Sequence, residues 1–285
     1  MLTGAFAPRF IQPRHKGFRS VPSPMIHKTS ILKMVSPLIL MGLWEICARM
    51  GILNPAFVPA PTAIARAGVQ LVLTGELLNH AAISLAHAFI GFAIGSALAI
   101  PAGFLVGLLK CGEIVLEPPI ELLRSIPPIS MISAALLWFG IGASLSVFII
   151  AWACFFPLYI NTVAGAKRIE VRFIQAARSL GARTPHLLYK VILPQSMPMI
   201  FAGFRTSLAT SLMGAVISEM FGAQSGLGFL IMNSERYFLA DKMFAGIVCI
   251  GLLGFLLNQM LLCIERKSIK WSRPVTLAID RNGAL

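Results

Sequence analysis

Apolar residues in this chain gather into long blocks, and polar residues fall between the blocks instead of alternating with them. A helix rises about 1.5 Å per residue, so about 20 residues cross a hydrocarbon core roughly 30 Å thick. Blocks of that kind cover 34–50, 82–109, 117–139, 145–165, 198–221 and 243–264. They predict an all-α membrane protein with six transmembrane helices. The third block is broken by Pro118, Pro119, Pro127 and Pro128 and carries Glu117, Glu121 and Arg124, so a kinked or tilted helix is expected there. Between the first two blocks, 51–81 reads as a loop followed by a short surface helix from Thr62 to Leu73, with Thr62 as its N-cap. The segment 222–242 reads as a second, glycine-containing loop with Glu235, Arg236 and Asp241. Either loop could meet a soluble partner or simply join helices.

The stretch 166–197 is too short and too polar to cross a membrane, yet it is patterned. Val171, Ile174, Ala177 and Leu180 recur at helical spacing, while Glu170, Arg172, Gln175 and Arg178 take the other faces, which predicts a short amphipathic helix. Gly181 is expected to end it, as a residue that tolerates positive φ. Thr184 and Pro185 suit the cap and first turn of a second helix through Leu187, Leu188 and Val191, which Pro194 is expected to stop.

Composition and charge narrow the class. Of the 285 residues 57% are hydrophobic and 12% charged, whereas the charged fraction of soluble domains is about a quarter. A net charge of +13 raises the question of nucleic acid, but the basic residues sit between apolar blocks and do not form a face on a soluble fold. With the N-terminus placed in the cytoplasm, 20 of the 24 Lys and Arg fall on inner segments and adjoining helix ends, leaving Arg49, Arg66, Arg236 and Lys242 outside. The 166–197 loop alone carries six, so both termini are expected to be cytoplasmic. The chain then divides into a basic tail (1–33), a first helix with its outer connector (34–81), a main transmembrane domain (82–265) and a second basic tail (266–285). The first thirty residues, with five basic residues and no acid, read as a disordered tail or as a start upstream of Met25 or Met34; a transit peptide is the second reading, and no amphipathic period favours it. Cys47, Cys111, Cys154, Cys249 and Cys263 lack CxxC spacing, so neither a disulfide framework nor a metal site is expected.

Gln175, Ala176 and Ala177, then Gly181 after three residues, then Val191, Ile192, Leu193 and Pro194 resemble the EAA loop of ABC importer permeases. The sequence departs from that family's pattern at Gln175, where glutamate is usual, and at Val191, where isoleucine is usual. Leu123 to Pro128 and Leu137 to Gly142 are similar to the third-span region of the nitrate, taurine and aliphatic-sulfonate branch of these permeases. Glu219 to Ala223 and Ser225 to Gly228 are similar to the end of its fifth span, and the likeness covers about 34–271. The resemblance implies a type I, six-helix permease bundle in the bacterial inner membrane, with cytoplasmic coupling helices at 170–194. It also implies that Gln175, Ala176, Ala177, Gly181, Leu193 and Pro194 belong to the surface that docks a cytoplasmic ATPase.

Other positions carry two readings each. Gly91, Gly95, Ala99, Gly103 and Gly107 recur every four residues, a stripe that lets a neighbouring helix approach closely, whether from the same subunit or from a second one. His87 starts the same face and reads as a structural histidine in preference to a ligand. Glu219, ionisable and near the outer end of a span, either gates the outer mouth or touches a binding protein, or else merely reaches interfacial water. Arg205 is expected to snorkel to the inner interface. Arg124 can pair with Glu121 or meet an anionic substrate beside the broken helix. Ser130, Ser133, Asn161, Thr206, Ser207, Thr210 and Ser211 suit a polar permeation path or serve as packing glue.

The chain lacks a GxxxxGK[ST] phosphate loop, so it is not expected to bind ATP through that motif. The resemblance implies two partner ATPase subunits carrying ATP and Mg2+, a second permease subunit that is a copy of this one, and a periplasmic solute-binding protein. It points to a small anion such as nitrate, taurine or another sulfonate as cargo, with bicarbonate also conceivable; relatives of the same architecture carry thiamine-precursor pyrimidines and aromatic acids. An ion-coupled secondary transporter is the rival from another class, and it would need ionisable pairs near the bilayer midplane. GxSxG, HExxH and paired catalytic carboxylates are missing, which argues against an intramembrane enzyme and for a non-catalytic transport subunit.

Overall fold

Five of the six apolar blocks each fall on one helix that is longer than the block, and the third is divided between two helices. The computed structural model describes residues 26–269, with side chains from Ser36 onward; residues 1–25 and 270–285 of the predicted tails lie outside the described residues. In chain order the helices are α1 (Ile26–Arg49), α2 (Pro61–Leu73), α3 (Glu76–Leu108), α4 (Lys110–Arg124), α5 (Met131–Phe139), α6 (Ala143–Lys167), α7 (Val171–Ser179), α8 (Thr184–Leu187), α9 (Leu193–Gly222), α10 (Leu227–Arg236) and α11 (Ala240–Ser268). Among the described residues there is no strand. Helix α1 starts at Ile26, inside the segment read as tail.

Four helical stretches are long and apolar enough to cross a membrane: α3, α6, the 39 residues Thr184–Gly222, and α11. A fifth candidate is α4 with Pro128–Phe139, two arms bent by 80°. The expected kink in the third block is therefore a sharp elbow. Its cause is local: Ile126 and Pro127 each precede a proline, a position that disfavours helix, and Pro127 is extended with ψ 139°. The first block, up to Arg49, forms the C-terminal part of α1, which is not among these candidates and whose Trp44 ring packs edge-on against Phe244 of α11 at 6.3 Å.

Helix α6 is the centre of the bundle, packed on one side by α3 and on the other by α9. Leu145, Ile149, Ile150 and Leu158 on α6 are fully buried. The small-residue stripe on α3 faces α6 of the same subunit. A Cβ added to Gly91 would lie 2.5 Å from Ile150 Cγ2, one at Gly103 2.6 Å from Thr162 Cβ and one at Gly107 2.5 Å from Ala166 Cβ, while Ala99 is fully buried. On the other side of α6, the Ser207 hydroxyl donates to the Cys154 carbonyl at 2.8 Å, a polar tie between two helices in an apolar setting.

Two predicted helix ends are corrected. Pro194 does not stop the second loop helix: Leu188–Ile192 forms a single π turn, and the chain continues as helix to Gly222. A widened turn moves the carbonyl that a proline ring would strike and removes the need for the missing N–H, so the helix absorbs Pro194. Thr62 is not the cap of α2. The N-cap is Ala60, which has no capping side chain, and Pro61 takes the first turn. Glu45 of α1 fills the role from 17 residues away, accepting the Thr62 N–H at 3.1 Å and the Thr62 hydroxyl at 2.8 Å.

Candidate functional site

The two ends of the long Thr184–Gly222 helix carry the two arrangements that stand out chemically. At its start lies the 170–194 loop. Helix α7 ends as the sequence predicts, with Gly181 at φ +81°. The Gly181 N–H donates to the Arg178 carbonyl at 2.9 Å and the Ala182 N–H to the Ala177 carbonyl at 3.0 Å, the paired closing bonds of a left-handed helix terminus. The chain then turns into α8, whose first turn holds Thr184 and Pro185.

The apolar stripe read from this loop does not pack on the rest of the chain. Val171 is 63% exposed and Leu180 89% exposed, Gln175 and Ala176 are exposed, and Ile174 and Ala177 are only half-buried. Phe173, Lys190, Val191, Pro194 and Gln195 line an open cleft of about 470 Å³ between α7 and the π turn. The loop thus offers an amphipathic helix, a rigid bend and a cleft, with its apolar residues left uncovered.

At the other end of the same helix, Glu219 is completely buried. The reading in which it reaches interfacial water is corrected here, because its carboxylate is enclosed by donors. Oε2 accepts the Ser84 hydroxyl at 2.6 Å and the Gly228 N–H at 3.1 Å, and Oε1 lies 3.1 Å from Nδ1 of His87. The Ser84 hydroxyl oxygen in turn accepts the Leu227 N–H at 2.8 Å, and Nδ1 of His80 accepts the Gly226 N–H at 3.0 Å. Three successive N–H groups at the start of α10 are thereby satisfied by three side chains from α3 and α9, which a buried helix terminus requires. Gly226 is obligatory in this setting. Its φ is +111°, and a Cβ there would sit 2.3 Å from the Glu219 carboxyl carbon.

His87 has a partner that the sequence alone does not reveal, Glu219. His80 and Ser84 are missed by the sequence reading. With His87 they recur at spacings of four and three on α3, one helical face, and that periodicity was the available signal.

The polar residues considered for a permeation path are not brought together. Ser130 and Ser133 lie exposed on and beside α5. Ser207 and Ser211 are buried, Ser211 and Thr210 donate back to carbonyls of their own helix at 2.7 and 2.9 Å, and Asn161 and Thr206 do the same at 2.8 and 2.9 Å. Arg124 forms an ion pair with Glu121 at the elbow, both partly exposed. Arg205 does not simply reach solvent; it pairs with Glu265 of α11. Lys167, at the end of α6, bonds Glu113 of α4 at 2.6 Å.

A distinct pocket of about 220 Å³ opens beyond Glu219, between the α5–α6 turn, the end of α9 and α10. Its lining includes Gln224, Asn233 and Arg236, so it is more polar than the grooves along the bundle.

Residues 99–270 match the family model described as binding-protein-dependent transport system inner membrane component. A Bacillus subtilis (strain 168) protein that carries the name aliphatic sulfonates transport permease protein SsuC is 33% identical over 238 residues, 84% of this chain and 86% of its own length. The Escherichia coli (strain K12) taurine transport system permease protein TauC is 32% identical over 242 residues, 83% of this chain and 88% of its own. Among solved structures, an inward-facing MetNI methionine ABC transporter superposes with a TM-score of 0.57 at 21% identity, covering 65% of this chain and 93% of that one.

Proposed function

Starting from the membership of this chain in the binding-protein-dependent transport system inner membrane components, as a type I permease subunit of an ABC importer, we propose that its cargo is a small sulfonate such as taurine or an alkanesulfonate, with nitrate of the same anionic class. The observation that carries the cargo is the relation to the sulfonate and taurine permeases, which extends over more than four-fifths of both this chain and those relatives.

The 170–194 loop is the docking surface for a cytoplasmic ATPase on each of two permease copies. Support comes from its exposed Val171 and Leu180 beside small Ala176 and Ala177, from the fixed bend at Gly181, and from the continuous helix through Leu193 and Pro194 into the bundle. ATP and Mg2+ act on that partner, and this chain contributes no hydrolytic chemistry. Its work is to alternate a path between two openings in response to the partner's cycle. The six basic residues of 166–197 support a reading with this loop and both termini on the cytoplasmic side and the 220 Å³ pocket on the side where a solute-binding protein delivers cargo. The second permease subunit is another copy. Large apolar side chains on α4 and α5, Leu122 and Leu137 among them, stand exposed, and α11 buries only Ala240, Ala245, Gly246, Leu257 and Leu261 within the subunit.

The test is uptake by liposomes holding the permease, its ATPase and its binding protein. ATP-dependent accumulation of labelled taurine or ethanesulfonate is expected, and competition by excess unlabelled sulfonate. Selective uptake of a neutral aminopyrimidine would overturn the cargo. Uptake driven by an ion gradient with no ATPase present would overturn the importer reading altogether.

A further inference from the structure

We propose that Glu219 is a positioning residue, the point at which movement of the 170–194 loop is handed to α10 and so to the pocket at the opposite end of the subunit. The proposal rests on the reading of that loop as the ATPase docking surface and adds how its movement reaches the far mouth. Two independent features carry it. The first is the absence of a break in the helix from Thr184 to Gly222, where Pro194 would be expected to make one. At about 1.5 Å per residue this rod is roughly 58 Å long, and Glu219 sits in its last turn.

The second feature is what Glu219 holds. It caps α10 through the Gly228 N–H and at the same time gathers Ser84 and His87 of α3. Apolar contact alone resists sliding weakly, since it has no direction, whereas a carboxyl group that accepts from Ser84 and Gly228 and lies against the His87 ring nitrogen fixes both distance and angle. The approach is also at backbone contact: a Cβ on Gly228 would lie 2.3 Å from the Val216 carbonyl oxygen of α9, so the first turn of α10 has no slack against the rod. Helix α10 in turn presents Asn233 and Arg236 to the pocket. A tilt of α9 driven from the loop moves the Met220–Gly222 side of the pocket directly, and it reaches the opposing α10 wall through Glu219 and the Gly228 contact.

The experiment uses the permease in complex with its ATPase in lipid nanodiscs, with the five native cysteines replaced and Asn233→Cys as the reporter. In the parent, the rate of labelling by a membrane-impermeant maleimide is expected to differ about fivefold between the nucleotide-free and the ATP–vanadate-trapped complex, a coupling of ordinary size. With Glu219→Ala, ATP turnover should stay within about twofold of the parent while that nucleotide response disappears, which a loss of mere stability would not produce. Glu219→Gln keeps an acceptor for Ser84 and Gly228 and should restore the response. Should Glu219→Ala fail to assemble, Ser84→Ala, which removes one donor to the carboxylate and the acceptor of the Leu227 N–H, carries the same test. A full nucleotide response in the variant that assembles overturns the proposal, as does a parent whose reporter ignores nucleotide. A parent that binds no ATPase overturns the underlying reading of the loop instead.

Discussion

Replacing Gly181 tests the docking loop with a magnitude that can be worked out beforehand. Its φ of +81° lies in the left-handed region, and a Cβ added there would meet nothing within 4 Å, so alanine introduces no clash. The effect of Gly181→Ala is therefore conformational alone, about 1–2 kcal/mol for an L-residue held left-handed. At 25 °C that lowers the ratio of the bent loop to its alternatives by about 5- to 30-fold, and the apparent affinity for the ATPase falls with the bent fraction, by up to that factor, if the bend is what docks. Asparagine, which tolerates this region, should fall between glycine and alanine. Proline should abolish docking, because its φ near −65° is incompatible and it removes the N–H donated to Arg178. The assay is equilibrium binding of the purified ATPase to the permease in nanodiscs for the series Gly, Asn, Ala and Pro. Equal affinity for glycine and alanine, or asparagine ranking below alanine, would show that the bend is not part of the docking surface.

Further predictions concern packing and capping. Gly103→Val places a side chain where even a Cβ sits 2.6 Å from Thr162, and should destabilise the bundle by about 1–3 kcal/mol, read as a lower melting temperature in detergent; Gly251→Ala, inside α11 with open space around it, should melt no lower than the parent. Bulky replacement of Ala177, half-buried beside the bend, should stop ATP-dependent uptake while leaving the protein in the membrane; unchanged uptake and unchanged ATPase capture would remove this residue from the docking surface. Glu45→Ala strips the N-terminus of α2 of its only side-chain acceptor among the described residues, a loss that should appear as faster amide exchange in the first turn of that helix. Exchanging Lys167 and Glu113 for one another should restore the stability that either single replacement lowers by at most about 1 kcal/mol, because the pair is partly exposed and only its closeness matters.

What could be read from the sequence were features settled within one or two turns of chain. Helical blocks, the amphipathic pattern of α7 and the left-handed glycine that ends it depend on nearest neighbours, and they match. The stripe on α3 announced a close approach, but its partner, α6, is a tertiary fact that spacing of four cannot name. Pro194 and Thr62 depart from expectation for different reasons: a π turn, which no residue pattern announces, absorbs the proline locally, whereas Glu45 supplies from another helix the cap that Thr62 was expected to be. Glu219 was visible as an oddity at membrane depth. Its meaning was not, because its donors stand 135 residues before it and nine after.

The elbow between α4 and α5 has a consequence of its own. Helix α4 contributes no fully buried residue; Leu116 and Ile120 lean half-covered on the bundle, Gly112 is pressed against the Leu105 carbonyl, and Glu113 is tethered to Lys167. Such an arm is anchored near its root and bare along its outer length. Whatever lies against it, lipid or a twin subunit, helps to decide its resting angle, so the same polypeptide takes part of its shape from its surroundings.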